Sequence, residues 1–388
     1  MTKKQCPILT TTQILILAAA AAAAAAISRP LAPPPASDDL VFADQRLAIV
    51  YPVIQRFKAL ITSDPFNVTA SWIGSDICNY KGFYCESPPD NGSALALASI
   101  DFNGFRLSAP TLDEFLDQLP DIALFHANSN DFSGTISPDI ANLPYLYELD
   151  ISNNRLSGPF PPAILAMDGL SFLDLRFNAF SGSVPPELFT RASLDALFLN
   201  NNHFTAALPD CSGASAGDNH IIYLTLANNK FSGDIPGAAL SRNLSELLLL
   251  NNMFSGCLPH DIGKLESAVV IDAGNNRLTG HLPYSLGCLR RLEILNLAGN
   301  LLYGRVPERV CRLENLANLS LSDNYLTGFG QACWRLIKNG VLDLTGNCVP
   351  GLPLQRPVDE CVEFFTDFPL RRRCWNIPAH ASFPCWFL

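Results

Sequence analysis

Apolar and polar positions repeat along most of this chain with a period of about 24 residues. In each unit, two apolar residues stand five and three places before an asparagine, and a third stands two places after it, as in Leu295, Leu297, Asn300 and Leu302. Gly lies four places after the asparagine in nine of ten units, and Pro lies seven places after it in seven. The ten asparagines are Asn130, Asn154, Asn178, Asn202, Asn229, Asn252, Asn276, Asn300, Asn324 and Asn347. Ten recurrences at nearly constant spacing predict one small unit stacked many times along one axis.

The alternation of apolar and polar residues before each asparagine predicts a short β-strand whose apolar side chains point into the core. The whole unit reads L-x-x-L-x-L-x-x-N-x-F/L-x-G-x-I/L-P, and with its period it is a leucine-rich repeat. One unit cannot bury enough apolar surface to offset the entropy of ordering its backbone, so the units must stack. We predict an α/β fold: a leucine-rich repeat solenoid of about 10–11 repeats, with a parallel β-sheet on the concave face and disulfide-bonded N- and C-terminal caps.

The repeated asparagine has a structural role in this prediction. Where the chain turns after each strand, buried backbone groups have no regular ladder to pair with. A carboxamide both donates and accepts hydrogen bonds, so it can satisfy those groups in its own coil and in a neighbouring one. We therefore assign the asparagines, with the glycines and prolines that follow them, to the scaffold and not to a binding site.

The first 28 residues have the pattern of a secretory signal peptide. Lys3 and Lys4 form a basic start, residues 14–27 are apolar, and small residues occupy positions 24–28. This apolar run is shorter than the roughly 20 residues that span a bilayer, although an uncleaved anchor remains the alternative. We expect an exported chain without a transmembrane segment.

The rest of the chain divides by composition into a Pro-rich linker, an N-terminal cap, the repeats, and a Cys-rich C-terminal cap and tail, at residues 29–40, 41–95, 96–347 and 348–388. Between residues 44 and 61, apolar residues recur at helical spacing. We predict a helix there that either begins near Pro52 or is kinked at it.

Twelve cysteines indicate an oxidising compartment. Cys6 leaves with the signal peptide, and the odd number that remains predicts either a free thiol or a bond to a second chain, for instance in a homodimer. Cys78 and Cys85 form a pair in the N-terminal cap. Cys288 and Cys311 occupy nearly equivalent places in adjacent coils, which predicts a bridge between them. Four N-glycosylation sequons, of which we expect two or three to be used, begin at Asn67, Asn91, Asn243 and Asn318.

The formal charge of the chain is −10, from 26 basic and 36 acidic residues. Removing Lys3 and Lys4 with the signal peptide leaves 24 basic residues and a charge of −12. Such a surface argues against nucleic acid as a partner, because binding to nucleic acid depends on neutralising phosphates. It favours a basic partner, chiefly by accelerating association.

Within each predicted strand, the residues between the leucines point away from the core onto the concave face. The slot four places before each asparagine, with its equivalent in the first coil, reads Asp101, His126, Asp150, Asp174, Phe198, Thr225, Leu248, Asp272, Asn296, Ser320 and Asp343. Exposed aromatic side chains beside charged ones are typical of recognition sites. We predict a ligand-binding surface, centred on the four N-terminal coils, formed by His126, Asp150, Asp174, Arg176, Phe177, Phe198 and Asp272. The alternative is that the outward Asp residues only keep the sheet soluble.

Nothing in the chain indicates catalysis, a cofactor or a metal site. The six histidines are scattered, and the sequence has no nucleophile, phosphate-loop or zinc motif. Asp150 and Asp174 lie on neighbouring predicted strands about 5 Å apart, superficially like the carboxylate pair of a glycosidase. Such a pair needs a cleft that desolvates one carboxyl group, whereas this face is open. We therefore expect a protein that is not an enzyme.

The generic unit, with its G-x-I-P turn, resembles the repeats of plant extracellular proteins. More specific segments follow one another between about residues 41 and 365: SDPFNVTASWIG, CNYKGFYC, SIDFNGFRL, LFHANSNDFSG, ELDISNNRLSGPFP, FLDLRFNAFSG, LDALFLNNNHF, LLLNNMFSGCLP and PLQRPVDEC. With these segments the chain resembles the leucine-rich repeat extensin-like family of plant cell walls. The resemblance implies a plant-type solenoid whose repeat domain binds small, secreted, cysteine-rich, basic signalling peptides of the rapid alkalinization factor type. In that family a Ser-Pro-rich extensin module follows and insolubilises the protein in the wall.

This chain departs from the family in two places. No extensin repeats follow the last cysteine-rich stretch, so we expect a freely diffusing apoplastic protein. Asp234 stands where the family often carries Cys, so we expect Cys257 to lack its usual neighbour.

The sequence therefore predicts a secreted glycoprotein of the plant cell wall or apoplast that binds a basic peptide or protein in cell-wall integrity signalling. One alternative is an inhibitor of microbial polygalacturonase that uses the same face. Another is a pectin-associated structural wall protein that uses Arg371 to Arg373.

Overall fold

The computed structural model describes residues 40–208, 220–237, 240–366 and residue 374. The predicted signal peptide, residues 29–39 of the predicted linker and the basic run at 371–373 lie outside the described residues. Before residue 209 the strands are β1 (Phe83–Glu86), β2 (Ala96–Asp101), β3 (Ser108–Ala109), β4 (Leu124–His126), β5 (Asp131–Gly134), β6 (Glu148–Asp150), β7 (Arg155–Pro159), β8 (Phe172–Asp174), β9 (Ala179–Gly182), β10 (Ala196–Phe198) and β11 (His203–Phe204). After residue 219 they are β12 (Tyr223–Thr225), β13 (Ser232–Gly233), β14 (Glu246–Leu248), β15 (Met253–Cys257), β16 (Val270–Asp272), β17 (Arg277–Gly280), β18 (Ile294–Asn296), β19 (Leu301–Val306), β20 (Asn318–Ser320), β21 (Tyr325–Phe329) and β22 (Leu342–Asp343).

The strands that precede the asparagines form one long sheet. Across the described residues it has twelve strands, in the order β1-β2-β4-β6-β8-β10-β12-β14-β16-β18-β20-β22. β1 comes from the N-terminal cap and is antiparallel to β2, whereas each later pair is parallel, such as β6 with β8. The middle residue of each short strand is buried and its two neighbours lie on the concave side, as with Leu149 between the partly exposed Glu148 and Asp150. The predicted leucine-rich repeat solenoid with its parallel sheet is confirmed.

A second row of strands follows the asparagines, and the alternation pattern did not predict it. These strands form two sheets in the described residues, in the orders β11-β9-β7-β5-β3 and β13-β15-β17-β19-β21. Between the two sheets lies a parallel bridge that joins Ala207, which follows β11, to Ser232 of β13. These strands form by backbone pairing between equivalent turns of adjacent coils. Their sequences therefore do not show the alternation of apolar and polar residues that predicts a strand.

Helices close the ends of the solenoid and line its outer side. The α-helices among the described residues are α1 (Gln45–Leu60), α2 (Cys333–Lys338) and α3 (Val358–Thr366). Helix α1 starts well before Pro52, because the Asp44 side chain accepts the N–H of Arg46 at 2.9 Å and caps its first turn. Short 3-10 helices lie at Val68–Ser71, Ile77–Asn79, Leu116–Gln118, Pro138–Asn142, Pro162–Ala166, Pro186–Thr190, His260–Lys264, Tyr284–Cys288 and Val310–Arg312.

Stacked aromatic rings join the N-terminal cap to the first coils. Phe57 of α1 stacks on Phe115 with ring centroids 3.8 Å apart, and Trp72 stacks on Phe102 at 5.3 Å. All four side chains are at most 1% exposed. The Arg46 guanidinium of the cap also pairs with Asp90 and with the buried Asp121 of the repeats. The cap therefore seals the open end of the apolar core, which stacked repeats require.

The ten repeated asparagines make the same four hydrogen bonds. In the coil of Asn178, the Nδ2 group donates to the carbonyl oxygens of Leu175, Arg176 and Ile151, and Oδ1 accepts the N–H of Leu156 at 3.0 Å. The other nine repeat this arrangement. Each carboxamide thus satisfies backbone groups of its own coil and of the preceding one.

Replacing Asn178 with Ala should lower the free energy of unfolding by about 1–3 kcal/mol, because it leaves buried carbonyl and N–H groups without partners. Chemical denaturation of the two proteins measures this difference. Asn315→Ala is the control, since the exposed Asn315 makes one bond to the carbonyl oxygen of Arg290 and should change the free energy by less than about 0.5 kcal/mol. Equal losses in the two variants would contradict the scaffold role.

The disulfides differ in part from those expected. Cys78 is bonded to Cys85. The expected bridge between Cys288 and Cys311 is wrong: Cys311 is bonded to Cys333, and Cys288 lies in a different disulfide. Equivalent places in adjacent coils do not ensure that two side chains point at each other, and the first turn of α2 brings Cys333 within reach of Cys311 with Cα atoms 4.9 Å apart.

Two further disulfides hold the C-terminal region. Cys348 is bonded to Cys361, which ties α3 to the last coil. Cys257, which was expected to lack its usual neighbour, is bonded to Cys374 across 117 residues. A Cβ on Gly280 would lie 2.7 Å from the Cys374 sulfur, so this glycine leaves the space that the bridge occupies.

Of the helices in the described residues, none is both long and apolar enough to cross a membrane.

Candidate ligand-binding surface on the concave sheet

The outward side chains of the main sheet form continuous rows, because its strands are parallel and in register. One row, four places before the asparagines, runs through His126, Asp150, Asp174, Phe198 and then Thr225, Leu248 and Asp272. A second row, six places before the asparagines, holds the first residue of each short strand. Adjacent strands are about 4.8 Å apart, so a ligand lying across the strands meets one coil after another.

The N-terminal end of this surface is acidic. His126 Nε2 lies 2.9 Å from Glu148 Oε2 on the neighbouring strand. Asp150 follows Glu148 by two residues on the same strand, so both carboxylates face the concave side. All three side chains are partly exposed. We call His126, Glu148 and Asp150 the acidic end.

Asp174 is buried, and the expectation that it offers an exposed carboxylate to a ligand is wrong. Its side chain is 0% exposed, because it lies between the strands of Asp150 and Phe198 and carries the Arg176 side chain over it. Oδ1 accepts the N–H of Arg176 at 3.0 Å, and Oδ2 lies 2.8 Å from Arg176 Nε. Burial raises the pKa of Asp174 to about 7, and the negative charge of Asp150 adds to the rise.

Asp recurs in this row for a local reason as well. Asp101, Asp150, Asp174, Asp272, Asn296 and Asp343 each accept the backbone N–H of the residue two places on, at 2.9–3.0 Å. These bonds satisfy a donor where the strand ends and the turn begins. The recurrence of Asp in this row is therefore explained in part by this structural hydrogen bond. The sequence interpretation had considered only ligand recognition and solubility as reasons for it.

Aromatic and cationic groups meet next to the acidic end. The Phe172 and Phe198 rings are perpendicular, with centroids 5.5 Å apart, and the Arg176 guanidinium lies 5.1 Å from the centroid of Phe198. Each of the three side chains keeps part of its surface exposed. The ion pair with the buried Asp174 fixes the position of the Arg176 guanidinium. The guanidinium and the Phe198 ring are therefore held side by side, each with part of its surface open to a ligand.

Phe177 lies at the margin of this cluster in an uncommon backbone conformation. Its φ is 53°, in the left-handed region, and its side chain is 48% exposed. Asn153 and Asn201 occupy the same slot in the two adjacent coils, also with positive φ. Asn tolerates this region, whereas a bulky side chain there is an outlier. The scaffold does not account for Phe177, which makes it a candidate for function.

An apolar stripe extends the cluster toward the C-terminus, and the sequence interpretation missed it. It crosses six consecutive strands from β8 to β18, or about 24 Å at the usual strand spacing, and consists of Phe172, Phe198, Tyr223, Leu248, Val270 and Ile294. Tyr223 and Ile294 are 42% and 39% exposed. The slot six places before each asparagine supplies four of these residues, and it could have been read from the sequence in the same way as the slot four places before.

Acidic residues also flank the stripe beyond its centre. Glu246 and Asp272 are partly exposed on β14 and β16. Asp272 lies four strands from Asp174, about 19 Å away, so the structure does not bring it into the cluster with His126 and Arg176. No group of three His, Cys, Asp or Glu side chains in the described parts of the chain is arranged to hold a metal ion.

Comparisons with known proteins show which families these repeats resemble. A family model described as Leucine Rich Repeat matches residues 145–167. The chain is 41% identical over 112 residues to Leucine-rich repeat extensin-like protein 1 of Arabidopsis thaliana, which covers 29% of this chain and 15% of the relative. It is 45% identical over 97 residues to Leucine-rich repeat extensin-like protein 4 of the same plant, covering 25% and 19%. The resemblance to the extensin-like family is thus confirmed for the repeat part, and the alignments span less than a fifth of either relative.

Solved structures are similar over more of the chain. A structure described as a TDR receptor is 31% identical, with a TM-score of 0.56, and covers 62% of this chain and 41% of that one. The plant peptide hormone receptor RGFR1 in complex with RGF2 is 26% identical, with a TM-score of 0.54, and covers 68% and 45%. A plant ice-binding protein at 23% identity, with a TM-score of 0.61 and covering 80% and 97%, shares the fold alone.

Proposed function

We propose that this chain, whose repeats resemble those of the leucine-rich repeat extensin-like family, is an extracellular, non-catalytic protein that binds a basic peptide or protein on its concave sheet. The apolar stripe is the observation that supports this proposal most directly. Partly exposed aromatic and aliphatic side chains on six consecutive strands serve neither the core nor solubility, and such patches mark interaction sites.

The charges around the stripe favour a basic ligand. Glu148 and Asp150 lie at one end, and Glu246 and Asp272 lie along the other half. Arg176 adds one positive charge below about pH 7, where its partner Asp174 is protonated, and these four carboxylates outweigh it. A ligand with apolar residues at its centre and basic residues at its ends would match this pattern, with the charges accelerating encounter and the apolar contacts slowing release.

Among basic ligands, we favour a secreted cysteine-rich peptide of the rapid alkalinization factor type, because the resemblance to the extensin-like family implies it. The structurally similar RGFR1 is a peptide hormone receptor in complex with RGF2, which is consistent with a peptide ligand for this kind of fold. Cell-wall integrity signalling is the process that this ligand would connect the protein with. The pectin alternative depends on residues 371–373, outside the described residues, and stays a prediction.

A direct test measures the affinity for a synthetic, oxidised peptide of this type by calorimetry at 50 and 300 mM salt. Replacing Asp150 with Lys should weaken binding at least tenfold at low salt and less at high salt, because it places a cation at the acidic end. Asp343→Lys is the matched control: it changes the charge equally and loses the same kind of local bond, but it lies eight strands away on β22.

Asp174→Lys, a natural choice from the sequence, is unsuitable because that side chain is buried and a change in affinity would report misfolding. If the affinity did not depend on salt, or if the Asp150 and Asp343 variants lost equal affinity, the electrostatic part of the proposal would be wrong. A polygalacturonase inhibition assay with the same variants separates the peptide ligand from the inhibitor alternative.

A further inference from the structure

One of the four sequons lies on the concave sheet itself. Asn318 is the first residue of β20, and its register partner on β18 is Ile294, the last residue of the apolar stripe. Its side chain is exposed, while Leu319 behind it is buried. The backbone of Asn318 is held in the sheet, because its N–H donates to Glu293 at 3.0 Å. A group attached to its amide therefore projects over the concave surface.

The other three sequons lie off the inner surface of this sheet. Asn67 and Asn91 belong to the N-terminal cap, and Asn243 lies in the turn before β14. Their side chains are exposed as well. Sugars at these positions would leave the concave surface open, so Asn318 differs from them in where its modification would act.

We infer that Asn318 carries an N-linked glycan that closes the concave surface beyond β18 and confines the ligand to the strands before it. This inference rests on the proposed function for the position of the ligand, but not for the glycan itself. An N-linked sugar is bulky and hydrophilic, and it would stand one strand, about 4.8 Å, from Ile294. The glycan would explain why the apolar stripe ends at Ile294. A ligand could not reach the strands beyond β18, so apolar side chains there would make no contact with it.

The inference sets the length of the ligand footprint. The open surface runs from the acidic end, which starts on β4, to Ile294 on β18, a distance of seven strand spacings. This is about 34 Å at the usual spacing, which an extended segment of roughly ten residues bridges. Basic residues would contact the acidic end, and apolar residues would follow along the stripe.

Site mapping tests the glycan independently of any ligand. The full chain is secreted from plant cells, digested, and treated with a peptide N-glycosidase in 18O water, so that each occupied Asn becomes a labelled Asp. We expect the label at Asn318 in most molecules, and its absence after Ser320→Ala, which removes the sequon while keeping the Asn. An unlabelled Asn318 in the unaltered chain overturns the inference.

Moving the glycan tests the confinement. In an Asn318→Gln background, Tyr223→Asn creates a sequon in the equivalent slot of β12, because Leu224 and Thr225 follow. Asp150→Asn does the same at the acidic end, where Ile151 and Ser152 follow. The probe is the synthetic oxidised basic peptide, and occupancy of each new sequon is measured by the same labelling.

Asn318→Gln alone should leave the affinity within about threefold, whereas a sugar at residue 223 or 150 should reduce it at least thirtyfold. Tyr223→Asp is the control, because enzymatic removal of the sugar leaves Asp at this position, and the deglycosylated Tyr223→Asn variant should bind within threefold of it. A tenfold change with Asn318→Gln alone would mean that the ligand reaches β20, and would overturn the confinement. Undiminished binding with a sugar on residue 223 would instead refute the proposed binding surface and leave the mapped glycan standing.

Discussion

Replacing Asp174 with Asn should raise the free energy of unfolding at pH 8 by about 2–4 kcal/mol, while changing it little at pH 4. Burial, with the charge of Asp150, raises the pKa of Asp174 to about 7, whereas an Asp in the unfolded chain titrates near 3.9. Between these values the native state keeps a proton that the unfolded state has released. The stability that this group contributes is therefore greatest below about pH 4, falls as the pH rises to about 7, and stays low above it.

The upper end of this range follows from the difference between the two pKa values, since each unit corresponds to about 1.4 kcal/mol. Asn carries no charge to bury, and its amide oxygen can accept the N–H of Arg176 as Oδ1 of Asp174 does. The Arg176 side chain is 38% exposed and can be solvated without its partner.

Urea denaturation of the two proteins at pH 4.5, 6, 7 and 8 measures this effect. The unaltered protein should lose stability across the series relative to Asp174→Asn, with the steepest relative change below pH 7. Asp272→Asn is the matched control: this residue makes the same local bond to Gly274 but is partly exposed, so the exchange should change the stability by less than about 0.5 kcal/mol. Parallel curves for the unaltered and Asp174→Asn proteins would show that the buried carboxylate is not perturbed.

The double substitution Phe177→Asn, Phe198→Thr should weaken peptide binding about a hundredfold or more without unfolding the protein. Each replacement is the residue that a neighbouring coil places in the same slot, Asn201 in one case and Thr225 in the other. Aromatic residues at the centre of an interface commonly contribute about 2 kcal/mol or more each, and 1.4 kcal/mol corresponds to a factor of ten in affinity.

Stability and binding should change in opposite directions for Phe177→Asn alone. Asn tolerates the left-handed backbone conformation that Phe177 adopts at φ 53°, so the free energy of unfolding should rise by roughly 1 kcal/mol. Calorimetric titration with the oxidised basic peptide and thermal denaturation, run on the single and double variants, give both quantities. Unchanged affinity in the double variant would exclude these rings from the binding surface, and a large loss of stability would point to a structural role.

The repeat could be predicted from the sequence because each coil obeys the same constraint. The asparagine and the two apolar residues before it recur ten times, and a glycine follows in nine of these units, so their spacing alone indicates the parallel sheet. The second row of strands has no such signal, because it depends on backbone pairing between turns. The end of the chain is harder still: the bond between Cys257 and Cys374 depends on where residues far apart in sequence return to the solenoid.

The repeat period also predicted part of the candidate site. Its residues could be placed in rows from the period, but exposure within a row depends on the side chains of adjacent coils. Asp150 and Asp174 occupy the same slot, yet Asp174 is buried because Phe198 stands beside it and Arg176 lies over it. Phe177 could have been recognised as unusual, since Asn153 and Asn201 flank it in the same slot. The binding role of these residues stays a prediction.

The bond at the strand ends has a consequence for how a protein of this kind diversifies. Asn296 makes it with a neutral amide and five Asp residues make it with a carboxylate. Exchanging Asp for Asn at one of these positions changes the charge of the inner wall by one unit and keeps the hydrogen bond to the backbone. Such exchanges therefore change the charge of the inner wall in unit steps, coil by coil, and among these six positions only the buried Asp174 couples the step to the free energy of unfolding.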